Sequence, residues 1–231
     1  MPPIPDPGPA LGRILSSMAN AAHAGGRPAA RLVAVSKTRD AQAIAAVAAA
    51  GQRAFGENYV QEALPKIEAL RALSLEWHLI GHLQSNKADL AARAFDWVQT
   101  VDSARLATAL ARHRPEALEP LNVLIQVNID DEAGKHGCRP QEIAPLAAAI
   151  ADQPRLRLRG LMAIPAPEPD MTRRRAAFRA MAAQFDALRT NHPDLDTLSM
   201  GMSEDFLAAI EEGATMVRVG SALFGPRPPK P

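Results

Sequence analysis

The sequence predicts a single (β/α)8 barrel with one extra helix at its N-terminus. Three observations predict it. The 231 residues suit one large domain, and barrels of this type commonly fill that length as one unit. Short apolar, β-branched runs alternate with alanine-rich helical runs, the pattern of parallel strands joined by helices. Eight such strand-like runs can be read, each followed by a helical run or by the end of the sequence.

In chain order, an N-terminal helix is expected over residues 11–22, ending at the break Gly25-Gly26-Arg27-Pro28. The first strand is residues 32–36, with a helix over 41–50. The second is 53–56, with a helix over 60–72. The third is 76–80, with a helix beginning near Asn86. The fourth is 97–101, and its helix opens at Asp102 or Ser103. The fifth is 122–128, with a helix over 140–151. The sixth is 157–163, followed by a long helix over 171–190. The seventh is 197–200, with a helix over 203–212, and the eighth is 216–219. A doubly wound sheet would bring fewer strands and a glycine-rich turn after the first. Here that strand ends in Ser36-Lys37-Thr38 instead. Residues 1–231 are read as one domain, with proline-rich tails over 1–9 and 226–231 expected to be disordered.

Composition narrows the function classes. Hydrophobic residues make up 47% of the chain, enough for a sizeable core without disulfides. Net charge is +1, from 26 basic and 25 acidic residues, so no polyanion footprint points to nucleic acid. The lone cysteine, Cys138, excludes an intramolecular disulfide and fits a reducing compartment. The N-terminus lacks the basic and apolar regions of a signal peptide, and no apolar run is long enough to span a membrane. The expectation is a soluble cytoplasmic protein.

Barrel sites lie at the C-terminal ends of the strands. The residues that follow the strands are Lys37, then Glu57-Asn58-Tyr59, Gly81-His82, Asp102-Ser103, Asn128 with Lys135 beyond it, Gly201-Met202-Ser203-Glu204 and Gly220-Ser221. Lys37 is in phase with Val33 and Val35 on the two-residue strand period, which aims it into the mouth. Partial desolvation there lowers an amine's pKa and frees it to attack an aldehyde. From position alone, a rim lysine that snorkels to solvent is the plainer reading. The loops after the last two strands, Ser199-Met200-Gly201-Met202-Ser203 and Gly220-Ser221, have the small residues and hydroxyls of a phosphate site, with Ser203 a candidate helix N-cap. Ordinary capping and turn chemistry explains them equally well.

Arg218 lies inside the apolar run Met216-Val217-Arg218-Val219, so its charge needs partners. Either it pairs internally with Glu57 or Asp102, or it donates to a ligand acceptor such as a pyridine nitrogen. His78 and His82 are four apart but begin in a strand, where that spacing makes no metal pair, so no metal is expected. Asp130-Asp131-Glu132 and Arg173-Arg174-Arg175 read as solvated surface.

Several segments resemble the pyridoxal phosphate homeostasis protein family. They are Val35-Ser36-Lys37-Thr38, the run from Phe55 to Glu62, the run from Trp77 to Lys87, Gly160-Leu161-Met162-Ala163-Ile164-Pro165, Ser199-Met200-Gly201-Met202-Ser203 and Val217-Arg218-Val219-Gly220-Ser221. They run from the first strand to the last. The resemblance implies a barrel like the N-terminal domain of alanine racemase and a cofactor, pyridoxal 5′-phosphate (PLP), held as a Schiff base on Lys37. It implies that Met200, Ser203, Gly220 and Ser221 belong to the phosphate loops and that Arg218 lies near the pyridine nitrogen. It also implies that Asn58 lines the cofactor pocket, with Lys135 near the mouth; His82, which follows the third strand, is a further candidate there by position.

Three functions follow as expectations. The first is a binder that keeps PLP (vitamin B6) pools balanced, with apo PLP enzymes as recipients and no reaction of its own. The second is a PLP-dependent amino-acid racemase-like enzyme with weak activity. The third is a Schiff-base aldolase. Racemisation needs two bases on opposite faces of the substrate carbon. The resembling racemases take the second, a tyrosine, from a further domain, and this sequence stops soon after the eighth strand. Its only tyrosine, Tyr59, reads as pocket wall. The binder, as a monomer, is therefore the favoured expectation.

Overall fold

The structure, a computed structural model, describes residues 6–130, 132, 134–166 and 168–225. Eight parallel strands close into a barrel in sequence order: β1 (Arg31–Val35), β2 (Ala54–Glu57), β3 (Glu76–Leu79), β4 (Trp97–Val101), β5 (Leu121–Val127), β6 (Leu156–Ala163), β7 (Thr197–Ser199) and β8 (Met216–Val219). β8 pairs with β1, Val33 opposite Arg218, so no edge strand remains. The α-helices are α1 (Gly8–Ala24), α2 (Ala41–Ala49), α3 (Val60–Ala69), α4 (Ala88–Ala94), α5 (Ala104–His113), α6 (Ile143–Ala151), α7 (Met171–Arg189), α8 (Phe206–Glu211) and α9 (Ser221–Phe224). Among the described residues no helix is long and apolar enough to cross a membrane.

Strand alternation sorts the core into two layers. Val33, Ala54, Trp97, Leu124, Met162 and Met216 pack together inside the barrel. Their neighbours in sequence, such as Leu32, Ala34, Phe55, Val98, Val123, Leu161 and Val217, join the larger cluster between sheet and helices. Three helices, α2, α5 and α7, start where a side chain satisfies a first-turn N–H group. Asp40 accepts from the Ala43 N–H at 2.8 Å, Ser103 from Leu106 at 3.4 Å and Asp170 from Thr172 at 2.8 Å.

Three differences from the sequence reading have clear causes. α1 begins at Gly8, so Gly8 and Pro9 belong to the helix and not to a tail; proline fits a first turn, where its missing N–H has no partner to lose. Of the expected tails, residues 1–5 and 226–231 lie outside the described residues. The helix after β7 starts at Phe206, not at Ser203, because Asp205 folds the preceding segment into a turn: its Oδ1 accepts the Met202 N–H at 2.7 Å. In β6 the register against β5 slips between Leu158 and Gly160. Gly160 has φ +147°, and a Cβ there would overlap the Thr197 carbonyl oxygen, so only glycine fits this bulge.

Candidate functional site

A cavity of about 400 Å³ opens at the C-terminal ends of the strands. Its wall brings together Lys37, Asn58, Lys135, Ser203, Arg218, Gly220 and Ser221, seven of the nine residues singled out from sequence. Five cations line it, Lys37, Arg39, Lys135, Arg174 and Arg218, against two carboxylates, Glu204 and Asp205. A volume of this size with an excess of positive charge suits a small anionic ligand.

Lys37 reaches the wall because β1 alternates: Val33 is inside the barrel, and Val35 and Lys37 face the cavity. Ser36 faces the other way and is anchored from behind. Its Oγ donates to Glu57 Oε1 at 2.5 Å, and Lys66 Nζ donates to Glu57 Oε1 at 2.8 Å and to the Ser36 carbonyl at 3.2 Å. Glu57 is fully buried, so its charge is matched by Lys66 of α3 in a dry setting. The next residue but one, Thr38, has φ +65°, a left-handed backbone that β-branched residues rarely adopt. A pinned Ser36 and a left-handed Thr38 thus bracket Lys37.

The last two loops meet. The Gly220 N–H donates to Ser203 Oγ at 3.1 Å, so Ser203 ties the two loops together and does not cap a helix. A Cβ at Gly220 would stand 3.3 Å from both the Val35 Cβ and the Val35 carbonyl oxygen, a close approach that favours glycine. Asp205, which holds the first loop, pairs with Arg174 of α7 at 3.5 Å.

Arg218 points inward from β8 between the outward Val217 and Val219, and it is 3% exposed. It pairs with neither Glu57 nor Asp102. Its Nη1 donates to Ser199 Oγ at 2.6 Å and its Nη2 to the Ala163 carbonyl at 2.8 Å. Burial, only partly opposed by the charge of Asp205, brings its guanidinium down to about 10, so it stays a cation at neutral pH.

From Arg218 a chain of hydrogen bonds runs down the barrel axis. Arginine only donates, so the Ser199 hydroxyl must spend its own proton on Gln99 Oε1, at 2.7 Å. Gln99 Nε2 then donates to His78 Nδ1 at 2.9 Å, which leaves the His78 proton on Nε2, facing Glu76 Oε1 at 2.6 Å. Arg31 closes the lower end on the same carboxylate oxygen at 2.8 Å. His78 also stacks on Trp97, with ring centroids 5.1 Å apart.

Two sequence candidates lie elsewhere. Met200 is wholly buried in the outer cluster, because Ser199 takes the inward direction and alternation turns Met200 toward the helices; its N–H is engaged by the Met216 carbonyl. His82 is not on the cavity wall. It turns toward the exits of β4 and β5 and stacks on His136. Tyr59, expected in the wall, is 59% exposed and lies outside it. Sequence reasoning missed Lys66 and Gln99, and it read Ser199 as part of a phosphate loop and not as the acceptor for Arg218. The only available signal was an interior-facing polar residue in an otherwise apolar strand at Gln99 and Ser199, and none exists for Lys66.

Comparison with known proteins decides the family. The alanine racemase N-terminal domain family matches residues 11–228. Pyridoxal phosphate homeostasis proteins are similar at high identity: that of Escherichia coli is 57% identical over 199 residues, 85% of each chain, and that of Pseudomonas aeruginosa is 49% identical over 219 residues, 94% of each. The chain belongs to the pyridoxal phosphate homeostasis proteins, within the alanine racemase N-terminal domain family. Among solved structures, PipY of Synechococcus elongatus with PLP bound superposes with a TM-score of 0.83 at 37% identity, covering 95% of this chain and 100% of that one. The alanine racemase of Corynebacterium glutamicum, at 23% identity and TM-score 0.64, shares the fold and covers 93% of this chain but 62% of its own.

Proposed function

We propose that this protein binds PLP covalently, as a Schiff base on Lys37, and serves in cytoplasmic PLP homeostasis as a monomeric carrier for apo PLP enzymes. The observation that carries this reading is Lys37 on one wall of a cavity whose other walls are the joined Ser203–Gly220 loops and the buried cation Arg218. The names of the similar proteins and the PLP bound to PipY support it.

The residues present fit the group. Ser203, Gly220 and Ser221 would hold the phosphate, with a glycine where a side chain would crowd Val35. Arg218 has no carboxylate within ion-pair distance among the described residues, which suits a donor kept for a ligand acceptor such as the pyridine nitrogen. Asn58 and Lys135 line the remaining wall. When bound, PLP supplies an aldehyde for the lysine and, in enzymes, an electron sink. A cation at Arg218 disfavours protonation of the ring nitrogen and so weakens that sink. The one tyrosine stands outside the cavity, where it cannot serve as a second base for racemisation. Both points favour a binder over a racemase.

The test is the absorbance spectrum of the purified protein before and after borohydride, followed by peptide mass mapping. The expected result is a visible band removed by borohydride, with the adduct on Lys37. A protein that takes up no added PLP, or an adduct on another lysine, overturns the reading.

A further inference from the structure

Three side chains outside the cavity wall converge from three successive strand exits. His82 follows β3, Asp102 directly follows β4, and His136 lies between β5 and α6. The sequence reading set His82 beside His78, but His78 is inside the barrel, and the actual partners of His82 come from distant positions in the chain. We propose that His82, Asp102 and His136 form a binding site for a divalent cation of the zinc class at the rim of the barrel mouth.

One donor atom from each residue, two imidazole nitrogens and a carboxylate oxygen, lie within 4.8 Å of one another. His82 Nδ1 stands 3.9 Å from Asp102 Oδ2, and the two imidazoles stack with centroids 3.6 Å apart and planes 7° from parallel. The carboxylate is oriented from behind: Ser103 Oγ donates to Asp102 Oδ1 at 3.1 Å, which leaves Oδ2 toward the rings. Such support of a ligand is the usual outer layer of a metal site.

Donor chemistry selects the ion. Two imidazoles and a carboxylate suit zinc and its transition-metal neighbours, whereas magnesium and calcium take oxygen donors. With metal–ligand bonds of about 2.0–2.2 Å, donors around zinc sit roughly 3.3 Å apart. Binding therefore exchanges the face-to-face stack for a splayed pair whose lone pairs converge, a motion open to His82 and His136 because both are exposed. Three protein donors leave a fourth position for water or for an anion from solution. Cys138 does not join the set: its side chain is buried in the core cluster between sheet and helices.

The experiment titrates the full-length protein, stripped with a chelator, with Zn²⁺ in competition with a chromophoric chelator, and with Co²⁺ monitored in the visible. The expected result is one equivalent bound. His82→Ala, His136→Ala and Asp102→Asn should each weaken it at least about tenfold, and Cys138→Ser should leave it unchanged. Far-UV circular dichroism checks the fold, and His82→Gln with His136→Gln replaces any variant that misfolds. Absence of saturable binding, or undiminished binding in the His82/His136 double variant, sinks the proposal. Neither readout depends on PLP.

Discussion

Lys37 is held from both sides by its backbone neighbours: Ser36 is pinned through Glu57 and Lys66, and Thr38 takes a left-handed conformation that costs on the order of 1–3 kcal/mol. Strain of this kind persists only where the surroundings enforce it, and here it fixes the direction of one amine. Lys37→Ala is expected to abolish the borohydride-trapped adduct while leaving the melting transition of the barrel in place, since the residue lines a cavity; mass mapping and thermal denaturation read the two effects. Ser203→Ala removes the acceptor of the Gly220 N–H and one hydroxyl of the proposed phosphate loops. It should weaken PLP retention by about 1–3 kcal/mol, read by equilibrium dialysis. Unchanged retention would count against those loops as the phosphate site. At this scale the sequence was legible wherever strand phase decides. Lys37 lines the cavity as its strand phase predicts, and the same rule, applied from Ser199, turns the Met200 side chain outward. The Lys66–Glu57 pair was not legible, because nothing local says that a helix lysine will meet a strand carboxylate.

Elements were read most accurately where an apolar or periodic run ends in turn chemistry. β4 and β8 match the expected bounds, and α7 ends one residue short of them. Short helices escaped. α9 is four residues, too few for a period, and the start of α8 was hidden because Ser203 and Asp205 are both good N-caps, yet Ser203 accepts from the Gly220 N–H and Asp205 from the Met202 N–H. The β6 bulge was also invisible, since a glycine in a strand reads as mere weakness. Its role makes a sharp prediction: Gly160→Ala combines an unfavourable φ with overlap on Thr197 and should destabilise the barrel by at least about 1–3 kcal/mol. Urea unfolding measures this, and a midpoint within error of the parent would show that the bulge relaxes freely.

For the whole molecule, the polar chain through the barrel ties stability to pH. Burial holds His78 below the ordinary imidazole range, despite its bond to Glu76. Burial acts to raise Glu76, but the hydrogen bond from His78 and the charge of Arg31 outweigh it and bring it to about 2. Both groups therefore have folded-state pKa values below their unfolded ones, so the unfolded chain binds more protons and stability falls as pH falls. The His78 contribution is complete above the ordinary imidazole range and is lost on acidification through it. The Glu76 contribution is lost lower, from the ordinary carboxylate range down to about 2, and Asp96, held above its usual range by burial, offsets part of that second loss. Melting temperature measured against pH should drop in these two stages, and His78→Gln should flatten the first. The closed barrel itself, in strict strand order, was fully legible, because eight alternations of the two periods leave few other topologies.

Each link from Arg218 to Glu76 gives its proton in the same sense, so no member can turn over alone. The orientation of the whole column is set at the top by a guanidinium that has no choice, and it is read at the bottom by a single imidazole whose tautomer is thereby determined. His78 is thus a remote reporter. Nitrogen NMR of its ring should show the Nε2–H tautomer, and any ligand that draws Arg218 away from Ser199 should register there as a shifted Nδ1 resonance, at the far end of the barrel from where the ligand sits.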